Sequence, residues 1–150
     1  MARTAGRSDQ APPPAGPYSP SARIGSLVAG SGQAGITADG VIVAGVGPQT
    51  RQTLSNLLAS LGAAGATSDD VISVRVFLTD PADFEAMNAE YQSFFAEPYP
   101  ARTTVYVGLP PGLLVEIDAL AVLPEGDPDE SHPTRSPRSP RQDLNLRPAD

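Results

Sequence analysis

The 150-residue sequence contains no cysteine and no lysine, and its one histidine is His132. Without cysteine the chain has no thiolate nucleophile, no disulfide and no zinc site of the cysteine type. Because His132 lies in a proline-rich C-terminal stretch, general-base catalysis by histidine and histidine-ligated metals are not expected either. The chemistry left to this sequence is that of carboxylates, arginine, tyrosine and hydroxyl groups.

Positive charge is also scarce, since ten arginines stand against 17 acidic residues and the formal net charge is -7. Affinity for nucleic acid comes largely from Lys and Arg that displace phosphate counterions, so no nucleic-acid partner is expected. No apolar run approaches the roughly 18 residues that a membrane span needs. Residues 1–15 lack the apolar core of a signal peptide. The sequence therefore indicates a cytoplasmic protein without a membrane partner.

Prolines crowd both ends of the chain and divide it into three parts. Residues 1–15 and 125–150 lack hydrophobic periodicity, and the large aliphatic residues of the second segment are Leu144 and Leu146. Ordering a residue costs about 1–2 kcal/mol of conformational entropy, which so few apolar side chains do not offset. We expect a disordered N-terminal segment at 1–15, one folded domain at 16–124 and a disordered tail at 125–150.

Hydrophobic patterning divides the folded part into strands and helices. Alternating or continuous apolar runs predict five strands, at residues 27–32, 41–44, 71–79, 102–107 and 114–123. One helix is predicted to begin at Pro48, and a second to follow an Asp80 cap with Pro81 in its first turn. The order ββ-α-β-α-ββ predicts an α+β fold, a single domain with a mixed sheet and two helices packed on one face.

Each predicted helix has an apolar stripe at helical spacing. The stripes consist of Leu54, Leu57, Leu58 and Leu61, and of Phe84, Met87, Tyr91, Phe94 and Phe95. Asn88 falls on the second stripe, at a position where an apolar residue is expected, so its amide must find a partner there. The strand at 71–79 is predicted to bury the face formed by Ile72, Val74, Val76 and Leu78.

Two carboxylates, Glu116 and Asp118, share one face of the last predicted strand with leucines. A half-solvated sheet face accounts for them, because charged side chains on strands usually face water. The alternative is a carboxylate placed to orient or deprotonate water.

Arg102 opens a predicted strand directly after a Pro-Tyr-Pro-Ala loop, and Thr104 alternates onto its face. A guanidinium held there can grip a small carboxylate through two parallel hydrogen bonds. A structural ion pair with Glu97 or Glu116 is the alternative, and spacing alone does not decide between the two.

Seven stretches follow one another along the core: Gly16-Pro17-Tyr18-Ser19; Ser31-Gly32-Gln33; Gln49-Thr50-Arg51-Gln52 leading into Asn56-Leu57; Val76-Phe77-Leu78-Thr79-Asp80; Met87-Asn88 with Tyr91 and Phe94-Phe95; Pro100-Ala101-Arg102-Thr103-Thr104-Val105; and Leu109-Pro110 through Val115-Glu116-Ile117-Asp118-Ala119. In this order and spacing they resemble the Rid family of reactive intermediate deaminases, also called YjgF-like proteins. The resemblance spans roughly residues 16–123, and the pair Arg102 and Glu116 is its most diagnostic feature.

The resemblance implies a chorismate-mutase-like α+β fold assembled as a homotrimer, with three ligand clefts at the subunit interfaces. It also implies a reaction, the hydrolysis of short 2-imino or enamine acids to 2-keto acids and ammonia. Substrates of this class include 2-aminoacrylate and 2-iminobutanoate. The implied reaction uses no metal and no organic cofactor.

The resemblance also implies a role for seven residues. On the family pattern the catalytic residues are Arg102, which would bind the substrate carboxylate, and Glu116, which would hold or activate the attacking water. The backbone around Gly32 and Thr104 would contact the imine end of the substrate. The rest of the pocket would be lined by Tyr18, Phe84 and Asn88.

Two departures from the family pattern and two other functions bear on this interpretation. Thr104 stands where the family often has cysteine, and Ser73 stands where a lysine is common. A regulatory module that binds a 2-keto acid without turning it over would use the same Arg102. A ribonuclease or translation inhibitor is the third hypothesis, and the net charge of -7 speaks against it.

Overall fold

The computed structural model describes residues 2–124, so the predicted tail at 125–150 lies outside the described residues. Six strands form one sheet: β1 Thr4–Gly6, β2 Ser21–Ile24, β3 Leu27–Ala34, β4 Val71–Leu78, β5 Ala101–Tyr106 and β6 Val115–Val122. Their order across the sheet is β1-β2-β3-β6-β4-β5. Strands β4 and β5 are parallel and the other neighbours are antiparallel, so the sheet is mixed, as predicted.

Helices α1, Val46–Ala63, and α2, Phe84–Tyr91, cover one face of this sheet. The predicted leucine stripe of α1 is confirmed, because Leu54, Leu57 and Leu61 are fully buried. They pack against the inward side chains of β6, which are Val115, Ile117, Ala119 and Ala121. Burying each of these aliphatic side chains contributes about 1–3 kcal/mol, and the helices therefore remain on that face. The α+β fold predicted from the sequence is confirmed.

The start of α2 agrees with its predicted capping signal. The carboxylate of Asp80 accepts a hydrogen bond of 2.9 Å from the backbone N–H of Ala82. Pro81 opens a short 3₁₀ turn, Pro81–Asp83, that leads directly into α2. Proline suits this position because the first turn of a helix leaves its N–H groups unpaired. Along α2, Met87 and Tyr91 are buried while Phe84 is half-buried.

The prediction of a disordered segment at 1–15 is wrong for the residues of β1. Thr4 and Gly6 pair with Arg23 and Ser21 of β2 in an antiparallel ladder. A Cβ at Gly6 would overlap the Ser21 hydroxyl, so glycine allows the close approach of the two backbones. This strand is held by backbone hydrogen bonds rather than by apolar side chains, and hydrophobic periodicity therefore does not reveal it.

Three other details of the strand prediction are also corrected. Strand β2 was not predicted, and the predicted strand at 41–44 contributes only an isolated bridge between Ile36 and Ile42. Ile72, placed on the buried face of β4 by alternation, is half-exposed. The pairing of β4 with β6 shifts register between Val71 and Ser73, which turns Ile72 away from the core. Within residues 2–124, no helix is long and apolar enough to cross a bilayer.

The sheet face that carries no helix is called the outer face here. It is formed by the outward residues of β2 to β6, among them Glu116 and Asp118 of β6 and Arg75 and Phe77 of β4. Apolar side chains are also exposed on it: Ile24, Leu27, Val105 and Val122 are each 37–48% exposed. An apolar sheet face of this kind is typical of a protein–protein contact.

Candidate functional site

Arg102 and Glu116 project from opposite faces of the sheet. Strand β4 lies between β6 and β5, and its Val74 pairs with both Arg102 and Ala119 on the helix-covered face. Phe77 of β4 pairs with Glu116 on the outer face. Since directly paired residues point to the same side of a sheet, Arg102 and Glu116 do not meet within one chain. The predicted site is therefore divided into an arginine half-site and a glutamate half-site.

The arginine half-site is a cleft at the β5 edge of the sheet. Its volume is about 360 Å³, and it is lined by Asn88, Tyr91, Gln92, Tyr99, Pro100 and Arg102. The guanidinium carbon of Arg102 lies 4.7 Å from the ring centroid of Tyr91 and 5.8 Å from that of Phe84. Aromatic faces attract a cation at these distances, so the two rings hold the guanidinium in place.

Arg102 forms no ion pair within the part of the chain that the structure describes. The alternative of a structural ion pair with Glu97 or Glu116 is therefore not realised in the single chain. A guanidinium presents five N–H donors, and here they remain available to a ligand. A small carboxylate is the ligand that this fork matches best.

Two polar atoms of the arginine half-site, Asn88 Oδ1 and the Tyr91 hydroxyl, are buried and have no hydrogen-bond partner among residues 2–124. Buried polar atoms are almost always paired in proteins, so an unpaired couple beside a cleft indicates a place for a ligand or water. Burial raises the pKa of Tyr91, although the charge of Arg102 acts in the opposite direction. The phenol is thus neutral at pH 7 and can donate a hydrogen bond.

Thr104 follows Arg102 on the same face of β5, and it pairs with Val76. Strand β5 is the last strand of the sheet, so one side of its backbone has no strand partner. Of the predicted site residues, Asn88 and Arg102 line the cleft of the arginine half-site and Phe84 contacts the Arg102 guanidinium. Thr104 lies beside them, one position further along the same face of β5.

The glutamate half-site lies on the outer face, where β3 and β6 pair. A Cβ added to Gly32 of β3 would overlap the carboxylate of Glu116, so the carboxylate lies directly against the glycine backbone. Ser31 ties the preceding loop to β3, since its N–H donates to Pro20 O at 2.9 Å and its hydroxyl donates to Ser19 O at 2.6 Å. These bonds hold Ser19 and Pro20 against β3, and the half-exposed Tyr18 precedes them in the chain.

The electrostatics of Glu116 suit proton transfer. Burial raises the pKa of its carboxyl, and the negative charge of Asp118 raises it further. A carboxylate with a raised pKa takes a proton from water more readily than an ordinary one. Within residues 2–124, no group of three or more His, Asp or Glu side chains is placed to hold a metal ion.

Sequence reasoning missed part of the arginine half-site. It assigned Tyr91 to the core, and it gave no role to Gln92 or Tyr99. One signal was available, because Tyr91 follows Asn88 by three residues and the two polar groups therefore share a helix face. The Pro-Tyr-Pro loop that carries Tyr99 gave no comparable signal.

The chain is similar to known proteins along most of the described residues. The family model described as Endoribonuclease L-PSP matches residues 8–123. A RutC family protein of Pyrococcus horikoshii is 44% identical over 117 residues, which cover 76% of this chain and 93% of the relative. The 2-iminobutanoate/2-iminopropanoate deaminase of Escherichia coli K12 is 38% identical over 120 residues, covering 77% of this chain and 94% of the relative.

A solved structure is similar along most of the domain. The crystal structure of Escherichia coli TdcF with bound serine is 39% identical, has a TM-score of 0.76, and covers 79% of this chain and 98% of that chain. The fold, the family model and these relatives all lead to one assignment. The chain belongs to the Rid family, whose model carries the description Endoribonuclease L-PSP.

Proposed function

We propose that this protein is a deaminase that hydrolyses short 2-imino and enamine acids, such as 2-iminobutanoate and 2-aminoacrylate, to 2-keto acids and ammonia. The observation that carries the proposal is the unpaired guanidinium of Arg102, held over Tyr91 at a cleft. A carboxylate-bearing molecule fits this cation best. The serine bound by TdcF is such a molecule, and the Escherichia coli K12 relative is named for imine hydrolysis.

The proposed active form is a homotrimer with three clefts between subunits. Because Arg102 and Glu116 lie on opposite faces of the sheet, a complete site needs the arginine half-site of one copy and the glutamate half-site of another. The exposed apolar side chains of the outer face provide surface for such a contact. A cyclic assembly repeats one heterologous contact at every interface, which completes every site.

In the proposed reaction, Arg102 binds the substrate carboxylate through two hydrogen bonds and so fixes the imine carbon. Glu116 of a second copy takes a proton from a water molecule as the water oxygen bonds to that carbon. The backbone near Gly32 and Thr104 contacts the imine nitrogen. Glu116 passes that proton to the imine nitrogen, which gives a carbinolamine. Glu116 then takes the hydroxyl proton and delivers it to the nitrogen as the carbon–nitrogen bond breaks, so ammonia leaves and the hydroxyl oxygen becomes the keto oxygen. An enamine acid first tautomerises to its imine.

These roles account for the chemistry without further groups from the chain. Fixing the substrate's orientation lowers the barrier by several kcal/mol. A positioned general base contributes about 10²–10⁴ in rate, which suffices for an imine carbon that is already electrophilic. The ribonuclease activity named in the family description fits less well, because the net charge is -7 and His132 is the chain's one histidine.

The test is the release of 2-keto acid from 2-iminobutanoate that an amino-acid oxidase generates in situ. Wild type should accelerate the release, and Arg102→Ala and Glu116→Ala should reduce it to the uncatalysed rate. Arg51→Ala is the matched control, since Arg51 is an exposed arginine paired with Glu90 and is not among the residues that line the arginine cleft. It should keep wild-type activity. A wild type that binds 2-ketobutyrate but does not accelerate the release would contradict catalysis and favour a sensor.

A further inference from the structure

An ion pair stands on the outer face next to Glu116. Arg75 of β4 lies opposite Asp118 of β6, and it donates from Nε to Oδ1 at 3.0 Å and from Nη2 to Oδ2 at 2.7 Å. The side chain of Asp118 is 18% exposed and that of Arg75 is 65% exposed. The two-bond geometry distinguishes this pair from an ordinary surface contact, because a bidentate fork fixes both partners.

Asp118 is the next outward residue after Glu116 on β6. Two residues along a strand separate the Cα atoms by about 6–7 Å, so the two side chains are neighbours on this face. The neighbours of Glu116 on adjacent strands carry no charge: they are Phe77 on β4, and Gly32 and Ala34 on β3. Val105 of β5, which continues this row, carries none either. Among the described residues on these four strands, the charged groups of the same copy that face Glu116 are Asp118 and Arg75. In the proposed trimer Arg102 of a second copy also faces Glu116, and it does so equally in wild type and in the Arg75 and Asp118 variants.

Arg75 lies over the strand neighbour of Glu116 as well as being bonded to Asp118. Its guanidinium carbon lies 5.8 Å from the ring centroid of Phe77, the residue paired with Glu116. The positive charge of Arg75 can therefore reduce the electrostatic effect of the Asp118 carboxylate on Glu116.

We propose that Arg75 is a positioning residue that acts through Asp118 to lower the pH at which Glu116 loses its proton. The proposal rests on the proposed function, since it assigns Glu116 the part of a base. The two carboxylates repel one another, and their repulsion favours the protonated form of Glu116. The guanidinium of Arg75 offsets that repulsion and holds Asp118 in one orientation. The direction in which Asp118 shifts the pKa of Glu116 agrees with this coupling.

The proposal predicts that substituting Arg75 and substituting Asp118 shift the protonation of Glu116 in opposite directions. In Arg75→Gln the charge of Asp118 is no longer offset, so Glu116 takes up its proton at higher pH. In Asp118→Asn the repulsion is gone, so Glu116 loses its proton at lower pH. Arg75→Lys keeps the positive charge without the fork and should lie close to wild type. If Arg75 only supported the fold, the substitutions of Arg75 and Asp118 would not shift the protonation of Glu116 in opposite directions.

The first measurement is an NMR titration of the side-chain carboxyl of Glu116 in the ligand-free full chain, with Glu116→Gln identifying the signal. We expect the midpoint to move to higher pH in Arg75→Gln and to lower pH in Asp118→Asn. An unmoved midpoint in Arg75→Gln would overturn the proposal. Because Arg75 is largely exposed, Arg75→Gln and Arg75→Lys decide the matter even where Asp118→Asn does not fold.

The second measurement is the pH profile of kcat/KM for 2-iminobutanoate. On the acid limb of the profile, well below the midpoint and relative to each enzyme's own plateau, kcat/KM should fall about threefold in Arg75→Gln and rise about threefold in Asp118→Asn, as expected for a unit charge at this spacing. Arg51→Gln should leave the acid limb unmoved. If the midpoint of Glu116 moves but the protein does not hydrolyse imines, the proposed deaminase function is refuted while the proposed effect of Arg75 on Glu116 is retained. Failure of the one proposal can therefore be distinguished from failure of the other.

Discussion

Arg102 and Glu116 belong to neighbouring parts of one sheet and yet face opposite sides of it, Arg102 toward the helices and Glu116 away from them. Each sits in surroundings that suit its part in the proposed reaction. Arg102 lies over aromatic rings with no acidic partner in residues 2–124, and Glu116 lies against Gly32 beside a second carboxylate. The pair can act on one substrate only when two copies of the chain meet.

The ring of Tyr91 should matter more than its hydroxyl for binding the substrate carboxylate. Tyr91→Leu removes the surface under the Arg102 guanidinium and should raise KM for 2-iminobutanoate about tenfold, the equivalent of a partly desolvated cation–π contact. Tyr91→Phe keeps the ring and should change KM by less. Steady-state kinetics of the two variants checks this, and equal KM values in both would contradict it.

Tyr91→Phe should also leave the protein at least as stable as wild type. The hydroxyl of Tyr91 is buried and has no hydrogen-bond partner in the described chain, so its removal breaks no bond and relieves a desolvated group. Thermal unfolding of both proteins gives the comparison. A Tm clearly below that of wild type would show that the hydroxyl is bonded, for instance by water or by a second copy.

Gly32→Ala should lower activity while the fold is kept. The new Cβ would overlap the carboxylate of Glu116, and a flexible side chain can swing away from it more easily than a backbone can move. Displacing a general base should reduce kcat by about 10- to 100-fold, part of what such a base contributes. Circular dichroism should be unchanged.

Gly62→Ala is the control for that substitution. Gly62 lies in α1, and a Cβ there meets no atom within 4 Å. Because alanine favours a helix over glycine by about 1 kcal/mol, the control should be fully active and slightly more stable. Full activity in Gly32→Ala would mean that the position of the Glu116 carboxylate against β3 is not needed for catalysis.

Gln49→Ala should destabilise the protein by about 2–4 kcal/mol, because it leaves several backbone groups without partners. The buried amide of Gln49 donates to Val43 O at 2.9 Å and to Gly112 O at 2.8 Å, and it accepts from Leu114 N–H at 2.8 Å. Urea denaturation measures the loss. Arg51→Ala, two residues along the same helix in an exposed ion pair, should cost less than about 1 kcal/mol.

Glu116→Gln should stabilise the protein at neutral pH. The folded state raises the pKa of Glu116, so folding favours its protonated form and ionisation of this group costs stability. That cost is absent below the ordinary pKa of glutamate and grows as pH rises through the pKa of the folded protein. The Tm difference between variant and wild type should therefore be near zero at pH 3 and positive at pH 8. A difference that shrinks as pH rises would contradict the shift.

The sequence was sufficient for features that depend on side-chain periodicity. The leucines of α1, the alternation of β6 and the Asp80 cap are local patterns, and the structure confirms each of them. Strand β1 was missed because it is held by backbone hydrogen bonds, which no side-chain pattern records. Ile72 was misplaced because a shift in register interrupts the alternation.

The candidate site could be predicted as a set of residues but not as an arrangement. Arg102 and Glu116 were identified by resemblance, each with its own strand. Alternation tells which residues of one strand share a face, yet the relation between two strands depends on their pairing with β4, which the sequence does not display. The division into two half-sites follows only from that pairing.

The most direct test of a site shared between copies is complementation between Arg102→Ala and Glu116→Ala. The two variants are co-expressed with different affinity tags, purified through both tags, and assayed with 2-iminobutanoate. Each variant alone should be inactive, and every mixed trimer should hold one intact site in three, giving about a third of wild-type kcat. Mixed trimers as inactive as their parents, or a protein that sediments as a 15.5 kDa monomer while fully active, would contradict the account.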